Sequence, residues 1–536
     1  MKKKYFLILI SLCFIHSCGQ NISPVDSGLE NQIFHFGNGA EPQGLDPHIV
    51  TGVPEHHLLI SMCEGLTSSN PKGGASLPGA AESWEISNDG KKYTFFLNKN
   101  AKWSNGDPVT ASDFVWSWKR ILTPSLGSQY PDMLYYVTGA YEFHNEINNN
   151  FDNVGVKAID DFTLEVNLKN PTPFFLGLLS HYSTWPVHKE TVLKYGDIDD
   201  RNGEWTRPGN FVCNGPFQLK SWELNSKIIV DKNPFYWDAK KVRLNEIHFY
   251  PVQNTMTEDR MFRAGQLHLT SSLPSQKCPI YIEENNPNLR IDPYMGTYFY
   301  RFNTKHPVLK DVKVRKALAY AINRTQLVEK VTKCGQIPAY SFTPPGSAGY
   351  QPDTEIKYDP LLAKQLLVEA GYSNPEDFPK LEILFNTNED HRKIALAIQQ
   401  MWQTTLGIEV ELVNQDWKVY LNREMIGDFQ VSRAGWIGDY EDPNTFLDTL
   451  RPNRGNNKTG WENKKYDDLL ELANSTNDTE KRYNLLMQAE RILIDEMPIV
   501  PLYTYVRSYQ LSEDVKGYFP NYLDHHHPKY IYLERD

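Results

Sequence analysis

Strand-like and helix-like patterns take turns along this chain of 536 residues. Gln32 to Phe36, Lys92 to Leu97 and Thr163 to Leu168 read as half-buried strands. Thr110 to Leu122 predicts a helix, with Thr110 and Asp113 spaced as a capping box. Asp359-Pro360 starts another helix, because proline is tolerated in a first turn, and Gly371 closes it. From His391 to Leu406 the apolar residues Ile394, Ala397, Ile398, Met401 and Trp402 form a helical stripe. That stripe stops at Gly407, and Ile408 to Leu412 follows as a strand. Lys481 to Asp495 predicts a helix leading into the strand Ile499 to Val506. Asp428 to Val431 reads as a strand that opens onto Ser432-Arg433-Ala434-Gly435-Trp436-Ile437-Gly438-Asp439. The class is mixed α/β. The chain is too long for one hydrophobic core, so two or three domains are expected.

Composition narrows this picture. Hydrophobic residues make up 40% and charged residues 23%, as in soluble globular proteins. The 30 Tyr and 12 Trp suit clefts whose walls are apolar but carry polar tips. A net charge of -11 argues against nucleic acid as a partner. Lys2, Lys3 and Lys4 precede an apolar run from Tyr5 to Ile15, which is too short to span a bilayer and fits an export signal. It ends at Ile15-His16-Ser17-Cys18-Gly19, which resembles a bacterial lipoprotein cleavage box with a histidine where a small residue is usual. Residues 1–18 are read as the signal, Cys18 as the lipidation site and 19–27 as a tether. Cleavage removes three lysines and takes the charge from -11 to -14.

Cys63, Cys213, Cys278 and Cys334 permit one or two disulfides, with pairing left open by their spacing. They are too scattered for a zinc site. Phe36-Gly37-Asn38-Gly39 lacks the third glycine of a phosphate loop. His525-His526-His527 reads as a loop of solvated histidines rather than a metal site. The chain has no Gly-x-Ser-x-Gly elbow and no His-Glu-x-x-His. Neither a catalytic residue, a metal nor a cofactor is expected.

Six further stretches point one way. They are Glu41-Pro42-Gln43-Gly44-Leu45-Asp46-Pro47-His48, Trp103 to Phe114, Asn214-Gly215-Pro216-Phe217, Asn233 to Trp237, Asp311 to Arg324, and Ser432 to Pro443. In this order the chain resembles the extracytoplasmic peptide-binding proteins of ABC importers, solute-binding protein family 5, close to the oligopeptide-binding branch. The resemblance implies a two-lobed periplasmic-binding-protein-like fold with an inserted domain, hinging shut over a peptide. Lobe I is then expected from 28–64, 190–294 and 506–536, the inserted domain from 65–189, and lobe II from 295–505.

The same resemblance implies site residues. Asp439 would hold the peptide ammonium, which is costly to bury unless a carboxylate meets it. Trp436 and Trp417 would wall side-chain pockets, while Gly435 and Gly438 leave room for the ligand backbone. Arg433 and His391 match positions near the peptide carboxylate. Lys333 and Arg423 lie one residue out of register with other such positions. Val53 and the segment around Tyr298 and Tyr300 would pair with the ligand backbone like an added strand. Gly296 and Ile437 stand where some relatives carry a disulfide. Arg301 replaces an acidic residue near the first ligand side chain, which predicts a weaker taste for basic N-terminal residues. The implied partners are short peptides with a free amine, an ABC permease and, through Cys18, a membrane; the protein is expected to be a monomer, in the periplasm or at the cell surface. A cell-wall peptide is an alternative ligand. A secreted peptidase and a chaperone-like surface lipoprotein are the competing classes.

Overall fold

The computed structural model describes residues 22–452 and 454–536. The export signal and Cys18 lie outside the described residues. Among the described residues no helix is long and apolar enough to cross a membrane.

Three larger sheets organise the α/β chain. In the first, Ile33–Gly37 pairs in parallel with Glu246–Tyr250, which continues antiparallel to Lys227–Lys232 and Phe217–Glu223. The second is antiparallel, in the order Ala81–Ile86, Lys92–Leu97, Thr163–Asn167, Val156–Asp160. The third has six strands: Ile337–Pro338, Ile499–Gln510, Leu289–Phe302, Val431–Ile437, Leu381–Asn386 and Val410–Gln415.

Local chemistry explains the helices that brace these sheets. The backbone N–H of Thr110 donates to Asp113, closing the capping box ahead of helix Ala111–Leu122. That helix buries Phe114, Trp118, Ile121 and Leu122 on one face. Asn388 accepts from the N–H groups of Asp390 and His391 at the start of helix Glu389–Leu406, and Gly407 ends it with a left-handed φ of 75°. Two expected elements differ. The strand foreseen at Asp428 to Val431 instead spans Val431–Ile437, because Arg433, Gly435 and Ile437 continue the ladder against Tyr300, Tyr298 and Gly296. The last long strand runs on to Gln510 rather than stopping near Val506.

That extension ties the halves together. Leu289–Phe302 and Ile499–Gln510 form a long antiparallel ribbon from Leu289↔Gln510 to Arg301↔Ile499. One end lies inside the six-stranded sheet. At the other end, Thr270 and Leu273 donate backbone N–H groups to Gln510 and Ser508, and Leu269 bridges both Phe36 and Leu511. Register shifts interrupt the ribbon between Pro293 and Thr297, which is where bending is easiest.

The cysteines pair as Cys63–Cys213 and Cys278–Cys334, enclosing separations of 150 and 56 residues. In the chain-entropy picture such loops stabilise by about 5 and about 4 kcal/mol. Replacing either pair by serine should lower the melting temperature, more so for Cys63 and Cys213; calorimetry on the oxidised protein checks this, and unchanged melting in both variants would contradict it.

Candidate functional site

A cavity of about 370 Å3 lies between the halves. Its walls come from separate stretches of the sequence in three groups: Asn38 to His57 with Ser271, Arg507 and Asp524; Tyr130, His181 and Tyr182; and Asn386 to Asp439. The expected residues Val53, His391, Trp417, Arg433, Gly435, Trp436 and Asp439 all line it.

Strand Val431–Ile437 sets the electrostatics. Arg433 donates to the Asn386 side-chain oxygen and the Tyr505 hydroxyl, each at 3.2 Å, and its guanidinium lies 5.0 Å from the centre of the Tyr298 ring. Its Nε has no partner, and no carboxylate pairs with it among the described residues. Two residues beyond the strand, Asp439 is the mirror case. Its side chain is 11% exposed, and its nearest basic group is His181 Nε2 at 3.4 Å. Burial, then the charge of Asp132, pushes the Asp439 carboxyl well above its ordinary pKa. Burial likewise drives His181 far below its ordinary range, so it supplies no positive charge. Between them the Trp436 indole N–H is buried without an acceptor.

A guanidinium, a carboxyl group that burial pushes toward its neutral form and an indole N–H are thus desolvated without their natural partners along one edge. Unmatched groups of this kind cost stability unless a ligand satisfies them. Arg433 and Asp439 are six residues apart, which bounds the separation of their backbones at roughly 20 Å.

The other expected residues are placed differently. Tyr298 and Tyr300 are fully buried beneath the cavity, stacked into the core. Tyr298 supports Arg433 from below and also faces His391, whose Nδ1 lies 3.4 Å from its hydroxyl. Arg301 points to the opposite face of the sheet, where it pairs with buried Glu424 at 2.5 Å; its charge is spent there, so the expected effect on ligand side chains is withdrawn. Arg423 is engaged by Glu382 and Asp428. Lys333 closes a helical turn in a left-handed conformation, outside the cavity lining. A side chain at Gly435 would meet the Tyr505 hydroxyl at 2.5 Å, so this glycine makes room for Tyr505 before any ligand.

The three adjacent histidines are not solvated. His525 and His527 are buried and bonded to Ser69 and Ser68, and His526 pairs with Asp524. They fold inward because Asp524 is held by Arg507 at 2.7 Å. Burial pushes the Asp524 carboxyl upward, but Arg507 and His526 outweigh it and keep it ionised. Among the described residues no group of three or more His, Cys, Asp or Glu is arranged for a metal. Sequence reasoning missed Tyr130, His181, Tyr505 and Arg507. For Tyr505 and Arg507 the signal was present, since Tyr503, Tyr505 and Arg507 alternate along one strand.

Glu55 anchors the rim beside Val53. Its Oε1 accepts from the Gln43 N–H at 2.6 Å, while Oε2 is unpaired. A side chain at Gly52 would meet Oε2 at 2.0 Å and the Trp417 ring, from the opposite wall, at 3.2 Å. Burial raises the Glu55 pKa from 4.5 to about 7. A raised carboxyl contributes fully below its unfolded value, and the contribution fades as pH rises through about 7. Glu55→Gln should therefore stabilise the protein relative to wild type near about pH 8 and do little near about pH 5; denaturant unfolding at both pH values checks this sign.

The family model for bacterial extracellular solute-binding proteins, family 5 Middle, matches residues 77–458. The chain is 37% identical to the oligopeptide-binding protein OppA of Bacillus subtilis over 526 residues, covering 96% of this chain and 94% of that protein. The Haemophilus influenzae OppA complex with the peptide RPPGFSPFR superposes with a TM-score of 0.89 at 36% identity, covering 94% of this chain and 99% of that one. The murein tripeptide binding protein MppA of Escherichia coli gives 0.90 at 35% identity, over 94% and 99% of the two chains. Against the unliganded open form of MppA the score falls to 0.64 at the same identity. The halves of this chain are thus arranged as in the peptide complex rather than as in the open form. This chain belongs to family 5 of the bacterial extracellular solute-binding proteins.

Proposed function

We propose that this protein is a lipid-anchored receptor that captures short peptides by their backbone and charged ends and hands them to an ABC permease. The observation that carries the reading is the unmatched pair Arg433 and Asp439 on one edge of the closed cavity. A peptide with a free amine and a free carboxylate supplies both missing charges at once. Backbone recognition, being indifferent to side chains, suits many sequences. The names of the relatives, OppA and MppA, support peptides as the ligand class. In this reading the lobes are 28–64, 190–294 and 506–536 for the first and 295–505 for the second, with 65–189 as the insertion. They close about the interrupted ribbon, and the closed form docks on the permease as a monomer. The anchor is the lipid on Cys18, outside the plasma membrane.

Calorimetric titration with a tripeptide, its N-acetylated form and its C-amidated form tests this. Asp439→Asn should cost the free-amine peptide about 2–5 kcal/mol and the acetylated form far less. Arg433→Met should act in the same way on the free carboxylate against the amide. Equal losses for capped and uncapped peptides would overturn the assignment. Separately, Cys18→Ser should move the protein from the membrane fraction to the soluble fraction; unchanged membrane association would remove the anchor from the proposal.

A further inference from the structure

His181 stands where the amine anchor meets the opposite wall. It lies in the segment 65–189, whereas Asp439 follows the strand Val431–Ile437 of the other half. Its side chain is 4% exposed and its Nε2 lies 3.4 Å from Asp439 Oδ1. The other ring nitrogen is committed. The backbone N–H of Ser183 points at Nδ1 at 3.4 Å, and the Ser183 hydroxyl lies 2.8 Å from it. A backbone N–H only donates, so Nδ1 carries no proton and the neutral ring holds its proton on Nε2, facing Asp439. Tyr182 at 4.1 Å and Tyr130 at 4.8 Å between ring centres fix the plane of the imidazole. Thr445, from the Asp439 side, donates its hydroxyl to Oδ2 at 3.4 Å.

We infer that His181 is a positioning residue for the amine anchor: a neutral N–H donor, locked by Ser183, that reaches Asp439 only when the halves are closed. This rests on the reading of Asp439 as the ammonium partner. Oδ2 accepts from the Thr445 hydroxyl, while Oδ1 faces His181 Nε2 at 3.4 Å in close contact but without full hydrogen-bond alignment; both groups border the carboxyl before the ligand arrives, and no competing cation is placed beside it. A lysine or arginine at position 181 would neutralise Asp439 and exclude the ligand amine. A neutral donor keeps the charge available. Because His181 and Asp439 come from opposite walls, the ammonium is gripped most firmly in the closed state, which couples amine recognition to closure.

The ionisable groups around this pair are Tyr130, Tyr182 and His56 on the His181 side and Asp132 near Asp439. The tyrosines are pushed up by burial and His181 is pushed down by it, so these keep their charge through the acid range. Asp132, raised to about 6, and His56, lowered to about 4, titrate within that range in every variant, so the reading is the shift of the acid limb between variants.

The test compares His181→Phe, which keeps a ring, with His181→Gln, whose amide nitrogen falls near the position of Nε2. Each is titrated with a free-amine tripeptide and its N-acetylated form across a pH series, with melting curves to confirm folding. His181→Phe should weaken the free-amine peptide roughly 10- to 100-fold and the acetylated one by less than about 3-fold. Losing the donor also raises the Asp439 pKa further, so the acid limb of binding should move to higher pH. His181→Gln should recover most of the affinity and return the limb toward wild type. Equal losses on both peptides, an unmoved acid limb, or no rescue by glutamine in a folded protein would overturn the inference while leaving the receptor reading intact. A wild-type protein that ignores the free-amine peptide would overturn the receptor reading itself.

Discussion

Desolvated charge without a counter-charge is the constraint that the rest of the molecule serves. Burying a lone carboxylate or guanidinium is among the costlier things a fold can do. Here both occur on one strand and its exit, and each is held by neutral groups only: Asn386, Tyr298 and Tyr505 around Arg433, Thr445 and His181 around Asp439. Elsewhere several buried charges are matched by opposite ones. Arg120 pairs with Asp46, Arg482 with Asp442 and Arg507 with Asp524. Other buried charges lack a counter-charge but are satisfied by neutral groups, as Arg324 is by the carbonyls of Pro501 and Ala319 and Glu490 by the N–H groups of Phe342 and Thr343. Arg433 and Asp439 differ in that they border the cavity.

The architecture then supplies rigidity and motion where each is needed. The six-stranded sheet holds Arg433 in a fixed ladder against Tyr300, and Tyr298 stacks on Tyr503 beneath it. Opposite, Val53 and His56 stand on helix Val53–Met62 and Tyr182 on the turn Tyr182–Thr184, both anchored to the first large core. The ribbon Leu289–Phe302 with Ile499–Gln510 joins the two, and its register breaks at Pro293 to Thr297 lie beside the cavity residue Tyr294. Closure is stitched at the rim by pairs that cross the halves, such as Ser275 with Asp390 at 2.6 Å and Tyr136 with Asp448 at 3.3 Å. Such pairs are individually weak, which suits a protein that must reopen.

Much of this was legible in the sequence, for reasons that differ by residue. Capped helices such as Ala111–Leu122 and Glu389–Leu406 were readable because their start and stop signals are local. Asp439, Arg433 and Trp436 were found because they sit in a motif-bearing stretch. Arg301 was misread although strand alternation carries the correction: Tyr298 and Tyr300 share a face with Arg433, so Arg301 must take the other. Gly435 was read as space for ligand because the hydroxyl that fills that space, on Tyr505, comes from another strand. His181 and the inward-folded His525 to His527 were invisible for the same reason. Their partners Asp439, Ser69 and Ser68 become neighbours only through long-range packing, and the local pair of His526 with Asp524 carries no sign of burial.

The most direct test of the central claim is native mass spectrometry of residues 19–536 purified without denaturation, followed by release and sequencing of whatever is carried. A buried guanidinium without a counter-charge and a buried carboxyl that ionises when a cation meets it predict a mixture of short peptides with free amines and free carboxylates, retained in the closed protein. A protein that emerges empty and stays empty when offered tripeptides to pentapeptides, or one that carries only molecules lacking an amine, would contradict the account.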